Sequence, residues 1–137
     1  MAFQSQRARL ARVASTQRGF PLRHFAGGAD LGNASDGIEV IDVPNVVIGG
    51  SGGAGNLISG NNLRGLVLSG SSTSGAAVFA NQIGTNLLGT AAIPNAGAGI
   101  EINAAPGNSI GGTGAGQGNL ISGNGSIGVY VNGSNAT

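Results

Sequence analysis

Two glutamates, Glu39 and Glu101, are the side chains of this sequence best suited to acid–base chemistry, because each stands third in a Gly-Ile-Glu-aliphatic tetrapeptide. Two carboxyl groups can hydrolyse a glycosidic bond when one protonates the leaving oxygen and the other activates water, at a separation of about 6.5 to 9.5 Å in inverting enzymes. The alternative is a pair of surface charges. We favour surface charges, because Tyr130 is the only residue at an equivalent position of the tetrapeptides that could contact a sugar.

A glycine-rich stretch at residues 48–61, IGGSGGAGNLISGN, contains the G-x-G-x-x-G pattern of dinucleotide-binding loops. Such a loop needs a strand before it, a helix after it and an acidic residue about 20 residues further on to bind the ribose. Here Gly55 is followed by NLISGNN, which is typical of a short strand and a turn, and no Asp or Glu occurs between Asp42 and Glu101. The sequence therefore predicts no nucleotide cofactor and assigns these glycines to turns.

Metal sites are not indicated either. GGSGG begins like the calcium-binding pattern G-G-x-G-x-D, but neither copy of the stretch has the aspartate that would be the ligand. The chain has no cysteine, which excludes disulfides, thiolate-bound metals and a catalytic thiol. Charged residues make up only 8 %, unlike the composition of a basic nucleic-acid-binding domain. We expect no cofactor, no metal and no nucleic-acid partner.

Residues 1–30 form a separate segment by charge. They include five arginines before residue 25 and no acidic residue in that part: Arg7, Arg9, Arg12, Arg18 and Arg23. The spacing of apolar residues predicts an amphipathic helix over residues 3–17, which could cap the open end of the next domain. The alternatives are a mitochondrial transit peptide and an upstream segment wrongly included in the reading frame. No secretory signal peptide and no stretch long enough to cross a membrane is visible.

Internal repetition dominates residues 31–137. The tetrapeptide Gly-apolar-x-apolar begins at Gly37, Gly65, Gly99 and Gly128. A second element, Asn-x-Ile-Ser/Gly-x-Asn, occurs at residues 56–61, 81–86 and 119–124, and a third short apolar element lies between the two. Three short strands per unit, separated by Gly, Asn and Ser turns, describe one coil of a three-sided solenoid. The sequence predicts an all-β fold, a right-handed parallel β-helix of about three to four coils.

Stacked coils would place equivalent residues in columns, with about 4.8 Å between neighbouring strands. The expected inward columns are Ile38, Leu66, Ile100 and Val129, and Ile58, Ile83 and Ile121; the expected outward column is Glu39, Val67, Glu101 and Tyr130. Asn61, Asn86 and Asn124 are expected to bond as a ladder of side-chain amides. Arg64, at a corner, is interpreted as a solvated charge.

The second unit is longer than the others, and its excess follows NQIGTN. Residues 87–97, LLGTAAIPNAG, are therefore expected to protrude beside the third strand of the coil. Loops on a rigid scaffold often carry binding residues. Leu87, Leu88 and Ile93 are the apolar residues expected to contact a partner, and Tyr130 is a further binding candidate.

The repeated segments resemble the repeats of bacterial right-handed parallel β-helix proteins of the pectin-lyase-like superfamily. The resemblance is carried by three stretches: NVVIGGSGGAGNLISGN, NQIGTNLLGTAAIPNAGAGIEI and NSIGGTGAGQGNLISGNGSIGVYVNGSNAT. The resemblance implies a secreted or cell-surface location. It does not imply one activity, because this fold carries polysaccharide lyases, hydrolases, adhesins and structural stalks. The clustered aspartates and the Gly-His-Gly of the enzymes are missing here. We therefore expect a noncatalytic rigid spacer or a surface that binds glycans or other proteins; the alternative is a polysaccharide lyase or glycoside hydrolase.

The last residues, GVYVNGSNAT, correspond to the first strand and corner of a fourth coil. An uncovered coil presents unpaired backbone groups and apolar side chains to solvent. We therefore expect a truncated array that associates with itself through the face that includes Val129 and Val131.

Overall fold

A computed structural model describes residues 32–50 and 55–136 of the chain. The helix and cap predicted within residues 1–30 lie outside the described residues, as does part of the glycine-rich turn. The described residues form an all-β parallel solenoid of about three coils, which confirms the predicted fold class. They contain no helix long and apolar enough to cross a membrane.

Each of the three coils contributes one strand to each of three sheets, and the chain then adds a fourth strand to the first sheet. The ten strands of the described residues are β1 (Ile38–Ile41), β2 (Val47–Gly49), β3 (Leu57–Ile58), β4 (Leu66–Ser69), β5 (Ala77–Phe79), β6 (Gln82–Ile83), β7 (Ile100–Asn103), β8 (Ser109–Ile110), β9 (Leu120–Ile121) and β10 (Val129–Asn132). The first sheet has the order β1-β4-β7-β10, the second β2-β5-β8 and the third β3-β6-β9. All of their pairings are parallel, because each strand pairs with its equivalent one coil away.

The core consists of aliphatic columns that follow this register. Ile38 pairs with Leu66, Leu66 with Ile100, and Ile100 with Val129, as predicted. The second predicted column, Ile58, Ile83 and Ile121, is also confirmed. Leu66, Ile83 and Ile100 have no exposed surface. Strands as short as two residues are stable here because burial between coils, and not strand length, supplies the free energy.

The corner after each strand of the first sheet turns through a left-handed backbone conformation. The φ angles are 54° at Asp42, 93° at Gly70, 50° at Ala104 and 97° at Gly133. For a residue with a side chain, this conformation costs about 1–2 kcal/mol. Two coils place Asp or Ala there, so the stacking of neighbouring coils imposes the corner even where the local sequence disfavours it.

A ladder of asparagine side chains runs through the coils, but its second-coil member is Asn95 and not Asn86. Asn33 Nδ2 donates to Asn61 Oδ1, Asn61 Nδ2 to Asn95 Oδ1, and Asn95 Nδ2 to Asn124 Oδ1, at 2.9, 2.6 and 2.9 Å. Consecutive members are 28, 34 and 29 residues apart. The prediction of Asn86 was wrong because the insertion in the second coil lies between the Asn-x-Ile word and the ladder position.

A second, unpredicted ladder joins Asn56, Asn81 and Asn119. Asn56 Nδ2 donates to Asn81 Oδ1 at 2.9 Å, and Asn81 Nδ2 donates to Asn119 Oδ1 at 3.1 Å. Asn81 Nδ2 also donates to the carbonyl oxygen of Ile48, and its side chain is 1 % exposed. These are the first asparagines of the repeated word, so the signal was present in the sequence.

The insertion in the second coil is a short antiparallel excursion. Thr85 bridges Ala92, and the N–H of Asn86 donates to the carbonyl oxygen of Ala91 at 2.9 Å. Asn86 Oδ1 accepts from the N–H of Thr90 at 2.8 Å, which closes the turn. The chain rejoins the stack at Ile93, whose N–H donates to the Gly84 carbonyl oxygen at 2.9 Å. The excursion is therefore shorter than the predicted 87–97 and ends before Ile93.

Candidate functional site

The outer face of the first sheet carries the candidate carboxylates. Glu39 pairs with Val67, Val67 with Glu101, and Glu101 with Tyr130, which is the predicted column. Glu39 is exposed, Glu101 is half-buried, and Tyr130 is 41 % exposed. Glu39 and Glu101 are two coils apart, so their backbones are separated by about 9.6 Å, twice the strand spacing. This is the wide limit of the inverting geometry.

Arg64 binds two carboxylates on this face, and its interpretation as a solvated charge was wrong. Its guanidinium contacts both carboxylate oxygens of Asp36, with Nε 2.9 Å from Oδ1 and Nη2 3.0 Å from Oδ2. Nη1 lies 3.0 Å from Glu101 Oε1. The backbone N–H of Arg64 also donates to Asp36 Oδ1 at 2.9 Å. Each of the three residues comes from a different coil, so the cluster ties three consecutive coils together.

Partial burial strengthens this charge cluster. The side chains of Asp36, Glu101 and Arg64 are 6, 15 and 29 % exposed. The hydrogen bond to Asp36, followed by that to Glu101, raises the pKa of the Arg64 guanidinium above its ordinary value, while burial acts in the opposite direction. Bidentate contact with one carboxylate and a single contact with another are the geometry in which arginine binds most specifically. The Glu101 carboxylate is thereby held by Arg64.

The other predicted binding residues lie elsewhere on the solenoid. Leu87 and Leu88 stand on the excursion that follows the third sheet and are 50 % and 80 % exposed. Ile93 is half-buried, because the chain has rejoined the coil at that position. Tyr130 belongs to the first sheet. The structure therefore does not bring these four residues into one site.

The two ends of the described solenoid differ in exposure. In the first coil, Ile38 and Val40 are 5 % and 1 % exposed. At the other end, which we call the upper end, all four residues of β10 are exposed. Val129 and Val131 are 40 % and 51 % exposed, although they continue the inward columns of the coil below. The upper end thus presents an apolar surface beside an unpaired strand edge.

No group of three or more His, Cys, Asp or Glu side chains that could hold a metal ion occurs within residues 32–50 and 55–136. Comparison of the chain with protein-family models, with curated proteins and with solved structures found no match. The structure itself shows a parallel β-solenoid, and the function has to be argued from its surfaces and its stacking.

Proposed function

We propose that the chain is a noncatalytic β-helix repeat segment of a secreted or cell-surface bacterial protein of the pectin-lyase-like superfamily, acting as a rigid spacer. The family and location rest on the resemblance of the repeated words. The spacer role rests on one observation: each coil is connected to the next by hydrogen bonds in the asparagine ladders as well as by packing in the apolar columns. Bending or sliding of one coil against another would break buried hydrogen bonds in both ladders at once.

The composition fits this role. The full chain contains 28 glycines and a single tyrosine, and small residues allow neighbouring coils to approach closely. Gly49 and Gly55 illustrate the constraint, because a Cβ at either position would overlap the carbonyl oxygen of Phe79 or Ala80 in the next coil. Such close packing between coils transmits position along the axis.

Spin labels can test the rigidity. The chain has no cysteine, so Ile41→Cys and Asn103→Cys would attach one label in the first coil and one in the third, at equivalent register positions. The expected spectrum shows dipolar broadening for a backbone separation of about 9.6 Å, from twice the strand spacing. The matched control places the second label at Leu88→Cys on the excursion. A distance distribution at Asn103 as broad as the one at Leu88 would contradict the spacer proposal.

A binding role for the outer face of the first sheet is compatible with a spacer. Tyr130 has an exposed aromatic ring, and its register partner Glu101 carries a carboxylate that Arg64 binds. Such a ring beside hydrogen-bonding groups offers a stacking surface that suits a glycan. The test is binding to a panel of acidic and neutral polysaccharides, with Tyr130→Ala as the variant and Leu88→Ser as the matched surface control. Loss of binding in Tyr130→Ala alone would support this site; equal loss in both variants would refute it.

The spacing of Glu39 and Glu101 is the single observation that favours a hydrolase or lyase of acidic polysaccharides. Turnover of pectate and related polymers, measured with and without calcium, decides between the two functions. We expect none, because the Glu101 carboxylate is bound by Arg64. Turnover that Glu101→Gln and Glu39→Gln each abolish would refute the noncatalytic proposal.

A further inference from the structure

The chain contains the tripeptide Asn-Gly-Ser twice, at residues 124–126 and 132–134, and the structure gives the two copies opposite environments. Asn-Gly is the dipeptide most prone to deamidation, because glycine leaves its N–H accessible to the preceding side chain. From the contrast between the copies we propose that Asn132 is a site of spontaneous deamidation in the folded protein and that Asn124 is protected. This inference is independent of the proposed function.

At Asn124 every group needed for the reaction is engaged. Its Oδ1 accepts from Asn95 Nδ2 at 2.9 Å, and its Nδ2 donates to the carbonyl oxygen of Ile83 at 3.1 Å. The N–H of Gly125, which would be the nucleophile, donates to the carbonyl oxygen of Asn95 at 2.8 Å. Reaction at Asn124 therefore requires this coil to open.

At Asn132 the same groups face solvent. The residue is exposed in the edge strand β10, and within residues 32–50 and 55–136 no hydrogen bond involves its side chain or the N–H of Gly133. Equivalent corner N–H groups in lower coils do have partners: that of Gly70 donates to Asn103 O, and that of Ala104 to Asn132 O. Gly133 has no side chain that would hinder the approach of its nitrogen to Cγ of Asn132.

The reaction needs only water. The Gly133 nitrogen loses its proton and attacks Cγ of Asn132, a new C–N bond forms, the bond from Cγ to Nδ2 breaks, and ammonia leaves. Water then opens the resulting succinimide at either carbonyl carbon and yields aspartate or isoaspartate. Both products add a negative charge above Asn103, the register partner of Asn132. The isoaspartate also lengthens the main chain by one methylene at the corner.

The test is incubation of the purified full chain at mildly alkaline pH, at a concentration at which it is monomeric, followed by peptide mapping. Chymotryptic cleavage after Tyr130 separates the two asparagines into different peptides. The same incubation in denaturant provides the matched control, because both copies then have identical neighbours on their C-terminal side. In the native protein Asn132 is expected to react at least about tenfold faster than Asn124, because Asn124 reacts only through local opening. The two rates are expected to converge in denaturant.

Equal native rates, or faster reaction at Asn124, would overturn the proposal. So would a rate at Asn132 that rises in denaturant as steeply as the rate at Asn124, because this would mean that the fold protects both. Asn132→Gln, whose longer side chain closes the ring poorly, is expected to remove the isoaspartate signal from the peptide after Tyr130. Persistence of that signal would assign the modification to another residue.

Discussion

Replacing Asn95 by alanine tests the corrected ladder most directly. The Asn95 side chain is completely buried and makes four hydrogen bonds. Its Oδ1 accepts from the N–H and the Nδ2 of Asn61, at 3.1 and 2.6 Å. Its Nδ2 donates to the carbonyl oxygen of Ile58 at 3.0 Å and to Asn124 Oδ1 at 2.9 Å. Asn95→Ala leaves these four partner atoms without their bonds.

The magnitude follows from the burial of those partners. The two Asn61 donors are buried and have no other partner within residues 32–50 and 55–136, the Ile58 carbonyl oxygen still accepts from the N–H of Gly84, and Asn124 lies at the exposed upper end and can bind a water molecule. Each buried group left unpaired costs about 1–3 kcal/mol, so the two Asn61 donors imply a loss of about 2–6 kcal/mol. That is a large part of the roughly 5–15 kcal/mol by which a domain is stable.

Urea unfolding followed by circular dichroism measures this loss as a shift of the midpoint at constant slope. Asn86→Ala is the matched control, because Asn86 is where the repeated word alone would place the ladder. Its Oδ1 accepts only from the N–H groups of Thr90 and Ala91 in the excursion, and we expect a loss of about 0.5–1.5 kcal/mol. If Asn95→Ala does not fold, Asn124→Ala, which removes fewer buried bonds, should give an intermediate loss. Equal losses at Asn86 and Asn95 would refute the assignment.

Three further predictions concern the charge cluster, a corner and the upper end. Glu101→Gln should lower the free energy of unfolding by about 1 kcal/mol, because it weakens a partly buried contact with arginine, whereas Glu39→Gln should change it by less than about 0.5 kcal/mol in urea titrations. Ala104→Gly should raise melting stability by up to about 1 kcal/mol by relieving its left-handed strain, and Ala77→Gly in strand β5 should lower it by about 0.5–1 kcal/mol. Sedimentation velocity should show self-association that Val131→Lys abolishes.

Each of these predictions can fail clearly. Equal effects of the two glutamate variants would mean that the contact with Arg64 contributes nothing to stability. Destabilisation of the same size at Ala104 and Ala77 would mean that the corner carries no strain. A monomer at all concentrations, in the unchanged chain as in Val131→Lys, would mean that the apolar upper end does not recruit a second copy.

The stacking was predictable from the sequence because each coil repeats the same short pattern. Gly-apolar-x-apolar specified the strands of the first sheet, and the isoleucines of the Asn-x-Ile word specified the third. The exposure of Leu87 and Leu88 followed from the extra length of the second coil. These features are local: a period of two residues within a strand and a period of one coil along the chain are sufficient to place them.

The ladder member in the second coil was not predictable in the same way. Asn86 and Asn95 both follow the isoleucine of their unit, and local sequence favours Asn86, which completes the repeated word. The choice depends on where the chain rejoins the stack, which is decided by the backbone bonds of Ile93 to Gly84 and Gly60. The ion pairs of Arg64 were not predictable for a related reason. Its partners, Asp36 and Glu101, are distant in sequence and adjacent only after the coils stack.

The corner after the first sheet links the stacking of the coils to the chemistry of Asn132. At this corner the N–H of each lower coil donates to the coil above it: Asp42 to Ser69 and Ala104 to Asn132. The same bond that holds two coils together therefore also removes the nucleophile that deamidation requires. Any strand that pairs with β10 and accepts from Gly133 would protect Asn132 as the ladder protects Asn124. The chemical lifetime of Asn132 is thus governed by whether the upper end is covered.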